Sequence, residues 1–290
     1  MKQRFDLSRF NFARLGIYVL LLLALAFFAL PAWFALVNSF KPLQEIYNGN
    51  VFGLPEVWTL EAWGKAWSKS CTGTSECSGL SSYFINSVLV VLPATAIGTL
   101  WGCLNGYVLA KWRFKGAQAV LFVLMFGSFL PIGLFLFPLT LIFDRMGLSS
   151  SLMGLTIIYI IYSLPTALFF KNYFMGFPGE LIKAARIDGA GLLRIFWSVV
   201  LPTARPILMV VGLMSFTNIW NDFLFALVLA PYDHQTVTVG LNNLINVTED
   251  RIEYNVHMAA ALIAALPTTI VYIFAGKQFV RGLTSGAVKG

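Results

Sequence analysis

A short run of polar and aromatic residues, 218–222, interrupts one of the most apolar parts of the chain. A carboxylate inside a membrane segment is energetically costly and therefore suggests a function. Amide side chains donate and accept hydrogen bonds at hydroxyl groups, and an indole stacks on the apolar face of a sugar ring. The run therefore supplies four candidates for contact with a polyhydroxylated solute, which are Asn218, Trp220, Asn221 and Asp222. The alternative is that Asp222 caps a helix or forms an ion pair near the membrane interface.

A second set of candidates lies in the polar segment 171–205. Pro178 predicts the start of a helix, and Glu180 suits its first turn because the helix dipole favours an acid there. Asp188 and Gly189 predict the end of that helix. The pattern is typical of a short helix followed by a tight turn.

The same segment predicts a narrow surface for another protein. Ala184 and Ala185 place small side chains on the first helix, where a larger residue would clash with a partner. A second amphipathic stretch, Leu192–Val200, is predicted to end at Leu201 and Pro202. Together the two stretches predict a helix–turn–helix that fits into a cleft of a separate protein.

The elements that position these residues are predicted to be membrane helices. Hydrophobic residues make up 58% of the 290, and charged residues only 11%, whereas soluble domains are about a quarter charged. The basic residues behind the net charge of +7 are scattered, which argues against a nucleic-acid-binding protein. Six segments have the roughly 20 apolar residues that a spanning helix needs: 15–39, 83–110, 117–142, 153–170, 206–230 and 258–277.

The distribution of lysine and arginine predicts the orientation of these spans. With both termini in the cytoplasm, 15 of the 20 basic residues fall on the inner side. Segments 1–14 and 278–290 are then the cytoplasmic termini, and segment 171–205 is a cytoplasmic loop. On this count Asp222, about 24 Å along its helix from Pro206, lies near the outer interface.

The long outer loop, 40–82, carries two features of its own. Trp63 and Trp67 are four residues apart, which predicts a helix at the membrane interface or a docking surface for an external partner. Cys71 and Cys77 lie in the same loop on the oxidising side. They are expected either to form a small disulfide-closed loop or to remain free thiols.

Small residues and prolines in the spans predict packing and bends. Gly98, Gly102 and Gly106 recur every four residues, which allows close approach of another helix from the chain itself or from a partner subunit. Prolines within or at the edges of spans predict kinks or helix ends. These prolines are Pro31, Pro93, Pro131, Pro138, Pro165 and Pro267.

Segment 171–205 resembles the cytoplasmic "EAA" motif of ABC importer permeases. In the family pattern the glutamate directly precedes two alanines, whereas here Leu181-Ile182-Lys183 separate them, as in the sugar-permease form. The residues that match are Glu180, Ala184, Ala185, Asp188-Gly189-Ala190 and Leu201-Pro202.

Other parts of the chain resemble the maltose-transporter class of carbohydrate permeases, and in particular its second, six-span subunit. The resemblance covers about 15–290, and it is carried by NSFKP (38–42), FINSVLVV (84–91), WNDFLFAL (220–227) and FVRGLTSGAVKG (279–290). Within that class the chain is most similar to glucose-type permeases, in LNGYVLAKWRF (104–114), FTNIWNDFLF (216–225) and EYNVHMAA (253–260).

The resemblance implies an all-α polytopic protein with the type I ABC importer permease fold, six spans and a cytoplasmic coupling helix. It implies a heterodimer with a second permease subunit, two ATPase subunits below, and an extracytoplasmic binding protein that delivers sugar. The coupling helix then sits in a groove of the ATPase, and the tail residues Ser285, Gly286 and Lys289 contact the ATPase pair.

The chemistry of ATP is expected in the partner and not in this chain. No phosphate-binding loop of the form GxxxxGK[ST] is present, so ATP and magnesium belong to the separate ATPase, and no metal or catalytic site is predicted here. The resemblance also implies that the partner permease holds most of the bound sugar, which weakens the case for 218–222.

The expected function is that of a permease subunit in the cell inner membrane, for a glucose-like monosaccharide or an α-glucoside. An ABC importer for glycerol phosphate would favour basic residues in the spans, and one for polyamine would favour several carboxylates. A secondary transporter would show inverted repeats or paired broken helices. A membrane enzyme would need a polar cluster at the midplane, and one carboxylate does not supply it.

Overall fold

The computed structural model describes residues 12–72, 77–131, 133–246 and 252–287, and throughout these ranges the regular elements are helices. This confirms the all-α class. The α-helices are α1 (Phe12–Ser39), α2 (Leu43–Asn48), α3 (Glu61–Ser68), α4 (Ser81–Lys111), α5 (Ala117–Phe129), α6 (Gly133–Arg145), α7 (Leu152–Tyr162), α8 (Ala167–Met175), α9 (Gly179–Ile187), α10 (Leu192–Ile195), α11 (Leu201–Thr203), α12 (Arg205–Trp220), α13 (Leu224–Leu229), α14 (Val237–Asn246) and α15 (Tyr254–Ala287).

Several of these helices are long and apolar enough to cross a membrane. Four helical runs qualify: Arg14–Ser39, Ser81–Lys111, Leu152–Met175 and Tyr254–Gly276. Two bent pairs, α5 with α6 and Leu192–Thr203 with α12, raise the number to as many as six. The described part of the chain therefore has four to six candidate spans, in agreement with the predicted polytopic fold.

Two predicted spans are not single helices. The segment 117–142 breaks at Pro131, and α5 and α6 make an angle of 112°. Proline lacks the amide donor that would continue the helix, so a break is favoured there. The segment 206–230 stops at Trp220 and resumes at Leu224, so the prediction of one continuous helix was wrong.

The other prolines have different outcomes. Pro165 lies in a short 3-10 turn, Leu164–Thr166, that joins α7 to α8. The remaining ones stay inside helices, with Pro31 in α1, Pro93 in α4, Pro138 in α6 and Pro267 in α15.

The described residues group into two compact units, and the first contains α1 to α3 with the start of α15. Its centre is the segment after α1. The Asn38 amide donates to the carbonyls of Phe34 and Val51 at 2.8 and 2.9 Å, and the Lys41 ammonium donates to the Asn50 carbonyl at 2.8 Å. The segment NSFKP is therefore a buried structural anchor. By contrast α1 is exposed from Leu15 to Trp33, as suits a helix covered by lipid or another subunit.

The second unit is a bundle around α4, which packs on α7, α8 and α12. The glycines of α4 lie where α8 and its preceding turn approach most closely. A Cβ added at Gly106 would lie 2.8 Å from the Ala167 carbonyl oxygen, and one at Gly98 would lie 2.8 Å from Ser163 Cβ. At Gly102 it would clash with Thr166. Of the two predicted alternatives, the structure therefore has the glycines pack within the chain.

Two apolar clusters fill this bundle. The first joins the beginning of α4 to α7, α13 and the end of α12, and includes Val90, Tyr159 and Phe216. The second joins the end of α4 to α8, α9 and the start of α12, and includes Tyr107 and Phe174. We call them the pocket cluster, after the pocket described below, and the coupling cluster, after the predicted coupling helix that packs on it.

Candidate functional site

Helix α9 forms within the predicted polar segment and begins where the sequence predicts it. Pro178 precedes its first residue, and its φ of −59° suits the entry to a helix. Glu180 lies in the first turn and Arg186 in the last, so both charges oppose the adjacent end of the helix dipole.

The end of α9 explains the Asp188-Gly189-Ala190 sequence. The Gly189 amide donates to the Arg186 carbonyl, and the Ala190 amide donates to the Ala185 carbonyl, both at 3.0 Å. Gly189 has a φ of +75°, a conformation that glycine adopts without strain. This is the Schellman arrangement of a helix C-terminus, and it turns the chain sharply after Asp188.

The side chains of α9 divide into a buried and an exposed side. Ile182 is buried in the coupling cluster, and Ala185 packs partly against the same cluster. Ala184 is exposed, Leu181 is 47% exposed and Ile187 is 86% exposed. The two alanines therefore do not form one free face as predicted, because Ala185 turns toward the chain's own interior. The exposed stripe is Leu181, Ala184 and Ile187, which we call the docking stripe.

The second amphipathic stretch ends within one residue of its predicted end. It runs from Leu192 to Thr203, with a π-helical turn over Phe196–Val200, so Leu201 and Pro202 lie in its last turn. The Leu201 amide donates to the Phe196 carbonyl across the wide turn. Proline is tolerated at 202 because it sits near the start of the short α-helical turn that follows. The helix then bends by 84° into α12.

The polar run after α12 lines a pocket of about 460 Å³. Of the four candidates in that run, Asn218, Asn221 and Asp222 line this pocket. Tyr159 and Tyr162 of α7 also line the pocket, and neither was predicted from the sequence. Their spacing of three residues within an apolar helix is the one signal that points to a shared face.

Asp222 holds the break between α12 and α13. Its Oδ2 atom accepts hydrogen bonds from the Tyr159 hydroxyl at 2.8 Å and from the amides of Phe225 and Ala226 at 3.0 and 3.3 Å. Its backbone carbonyl accepts a bond from the Thr238 hydroxyl at 2.7 Å. The carboxylate therefore caps the first turn of α13 and ties it to α7, which matches the capping alternative.

Trp220 does not belong to the pocket wall. Its side chain is only 2% exposed, stacks on Phe216 and meets Phe84 edge to face. Its indole donates to the Ala264 carbonyl at 2.9 Å. The prediction that Trp220 offers a stacking surface was wrong, because the indole is used inside the bundle. Aromatic rings reach the pocket from Tyr159, Tyr162, Phe223 and Phe225 instead.

Residues 83–284 match the family described as the inner membrane component of binding-protein-dependent transport systems. The chain belongs to this family. It is 34% identical over 284 residues to the inner membrane ABC transporter permease protein YcjP of Escherichia coli, covering 96% of this chain and 97% of that protein. It is 31% identical over 274 residues to the diacetylchitobiose uptake system permease protein NgcG of Streptomyces coelicolor, covering 94% and 88% respectively.

The fold of this permease is also that of a solved importer subunit. A chain in the crystal structure of a bacterial ABC transporter involved in import of the acidic polysaccharide alginate matches it with a TM-score of 0.79 and 23% identity. The match covers 96% of this permease and all of that chain. The protein is therefore an ABC importer permease that works with other permease, ATPase and binding-protein components, and it is not itself an enzyme.

The cysteines and the C-terminal tail are the remaining candidate sites predicted from the sequence. Cys71 and Cys77 are joined by a disulfide in the structure, and Cys103 is buried with a free thiol. The side chains of Ser285 and Gly286, and all of Lys289, lie outside the described part of the chain.

Proposed function

We propose that this permease passes a neutral sugar across the membrane, with a glucose-like monosaccharide or an α-glucoside as the preferred cargo. The observation that carries the proposal is the composition of the pocket wall. Among the described residues that line it there is no lysine or arginine, and the carboxylate of Asp222 is already bonded to Tyr159. A phosphate would need a cation and a polyamine several free carboxylates, whereas amides, hydroxyls and rings suit sugar hydroxyls and apolar sugar faces.

The names of the relatives support the same class of cargo. The Streptomyces coelicolor relative is described as an uptake permease for diacetylchitobiose, a cargo built from sugar units. The alginate named for the solved transporter is also built from sugar units, but it is acidic, so it supports a sugar cargo and not its neutral charge. The choice of a glucose-like sugar over other sugars rests on the resemblance of segments such as 104–114 to glucose-type permeases.

The proposal includes a coupling role for α9. An exposed apolar side chain such as Ile187 is stabilised when a partner covers it, and the small Ala184 beside it allows close approach. We assign the docking stripe, flanked by Glu180 and Asp188, to a groove of the ATPase. Gly189 forms the turn at the end of α9, and the helix that contains Leu201 and Pro202 packs with α9 in the coupling cluster. Closure of the ATPase on ATP and magnesium then displaces α9.

The assembly that we propose has a second permease subunit, two ATPase subunits and an extracytoplasmic binding protein. Both termini and segment 171–205 face the cytoplasm, as the 15 of 20 basic residues on that side favour. The tail, with Ser285, Gly286 and Lys289, contacts the ATPase pair.

The decisive test is ATP hydrolysis by the reconstituted complex with its binding protein, over a panel of solutes. Glucose, trehalose, sucrose and glucosylglycerol represent the proposed cargo, and glycerol phosphate and a polyamine represent the alternative. We expect stimulation by one or more of the sugars. Stimulation by glycerol phosphate or polyamine alone would overturn the sugar proposal in favour of another polar solute.

The pocket itself is tested by a matched pair of substitutions. Asn218→Ala removes a pocket amide, and Asn172→Ala removes an exposed amide on α8. Loss of one hydrogen bond to sugar corresponds to about a fivefold rise in the sugar concentration for half-maximal uptake. If the two variants behave alike, the sugar does not contact Asn218.

A further inference from the structure

Two residues at the end of α4, outside the predicted EAA motif, contact α9 and the short segment that precedes it. Lys111 is the last residue of α4, and its ammonium donates to the Phe177 carbonyl at 2.8 Å and to the Met175 carbonyl at 3.5 Å. Met175 ends α8, so its carbonyl lacks a partner within its own helix. The lysine of one helix therefore binds the chain just as it leaves α8 and enters α9.

The next residue, Trp112, contacts the other end of α9. The guanidinium carbon of Arg186 lies 4.3 Å from the centre of the Trp112 ring, the geometry of a cation–π interaction. Trp112 also packs against the coupling cluster, which contains the buried Ile182. Helix α9 is thus held before its first turn by Lys111, in its middle by Ile182 and in its last turn by Trp112.

Helix α4, whose end makes these contacts with α9, is itself closely packed against α8. Gly98 and Gly106 of α4 lie so close to α8 and the turn before it that an added Cβ would approach Ser163 or the Ala167 carbonyl to 2.8 Å. Close-packed interiors resist compression and pass on displacement. A displacement of α9 is therefore transmitted to α4 and α8 together.

We propose that Lys111 and Trp112 are positioning residues that latch α9 to the end of α4, so that displacement of α9 by the ATPase moves the α4–α8 pair. The docking stripe and the latch occupy different sides of α9: Leu181, Ala184 and Ile187 are free for a partner, whereas Ile182 and Arg186 bind the chain itself. The inference rests on the proposed coupling role of α9 and adds the residues that connect it to the spans.

The alternative is that these contacts only stabilise the fold. An apolar contact through Ile182 alone would serve stability, but it leaves α9 free to pivot. Two hydrogen-bonded carbonyls at one end and a stacked guanidinium at the other fix its direction as well. The two roles differ in the ratio of sugar transported to ATP hydrolysed, which a purely stabilising contact does not change.

The experiment uses the reconstituted complex with its binding protein, and the variants Lys111→Met, Trp112→Ala and Trp112→Phe. The controls Arg113→Ala and Lys115→Met remove exposed cations from the same connection. Co-purification of the ATPase measures docking, and transport per ATP measures coupling. We expect the first two variants to retain the ATPase and to lose about fivefold in transport per ATP. This is the effect of losing the hydrogen bond to Phe177 in Lys111→Met and one cation–π contact in Trp112→Ala. Trp112→Phe keeps a ring and should retain most of the coupling.

A substitution of Arg186, the other partner in the cation–π contact, controls for misfolding of the Trp112 variant. Arg186 is exposed, so Arg186→Met should fold, and the double variant should lose no more coupling than Trp112→Ala alone. Normal transport per ATP in all these variants would overturn the latch. Loss of the ATPase together with coupling would also overturn it, because the residues would then belong to the docking surface.

Failure of the coupling role itself has a different signature. Ile187→Glu places a charge on the docking stripe without touching the latch, and we expect it to abolish co-purification of the ATPase. If the ATPase remains bound and coupled in that variant, the assignment of α9 to the ATPase groove is wrong, whatever the latch variants do.

Discussion

Removal of the Asp222 carboxylate distinguishes a structural role from contact with cargo. Oδ2 accepts one bond from the Tyr159 hydroxyl and two from the amides of Phe225 and Ala226. Loss of a helix cap costs about 1 kcal/mol. The Tyr159 hydroxyl, whose side chain is 1% exposed, would lose its partner at a cost of roughly 1–3 kcal/mol. Asp222→Ala is therefore expected to destabilise the bundle by about 2–4 kcal/mol.

Two variants separate these contributions. Tyr159→Phe removes the same hydrogen bond and leaves the cap of α13 in place, so its cost should be about 1 kcal/mol. Asp222→Asn keeps an acceptor oxygen for the amides and should cost less than Asp222→Ala. The expected order of stability is wild type, then the two conservative variants, then Asp222→Ala.

The chain provides its own probe for this measurement. Cys103 is a buried free thiol in the coupling cluster, so its reaction with a thiol-specific dye on heating reports unfolding of the bundle. Sugar uptake by the same variants is measured in parallel. If Asp222→Ala unfolds at the wild-type temperature but needs much more sugar for uptake, the carboxylate binds cargo and the capping interpretation is refuted.

Three further outcomes are expected. Gly106→Ala should destabilise the bundle by about 1–3 kcal/mol, because its Cβ would meet backbone atoms at 2.8 Å. Gly212→Ala should be neutral or stabilising by up to about 1 kcal/mol, because its Cβ would meet only Thr99 at 3.9 Å. Equal effects of the two variants in the Cys103 assay would contradict the packing argument. Asn38→Ala should cost roughly 1–3 kcal/mol by leaving the carbonyl of Val51 without its bond, which thermal unfolding of the purified chain measures; an unchanged stability would mean that the bond contributes little. Alkylation of the denatured chain without reductant should label neither Cys71 nor Cys77, and labelling at both would show that the disulfide is absent in solution.

The ends of α9 could be predicted because their signals are local. Pro178 before the helix and Gly189 after it act through the conformation of their own backbone, so no distant partner has to be known. The apolar lengths of the spans are equally local, and most of them were predicted within a few residues.

The faces of the helices could not be predicted in the same way. In lipid a spanning helix is apolar all round, so the sequence carries little amphipathic pattern to show which side is buried. Trp220 is an example. The sequence allowed its indole to contact a sugar, whereas in the structure the indole is buried and donates to the Ala264 carbonyl. The π turn before Pro202 could not be predicted either, although the helix does end one residue after that proline.

On the proposed function, the two apolar clusters connect the coupling helix with the solute path. Helix α4 contributes Val90 to the pocket cluster and Tyr107 to the coupling cluster, and α12 contributes Phe216 and Val211 in the same way. Displacement of α9 therefore acts on helices that reach the pocket wall. The clusters share these helices but no buried side chain. On the proposed function, substitutions in the pocket wall therefore change which sugar is accepted and leave unaltered the packing that connects α9 to the bundle.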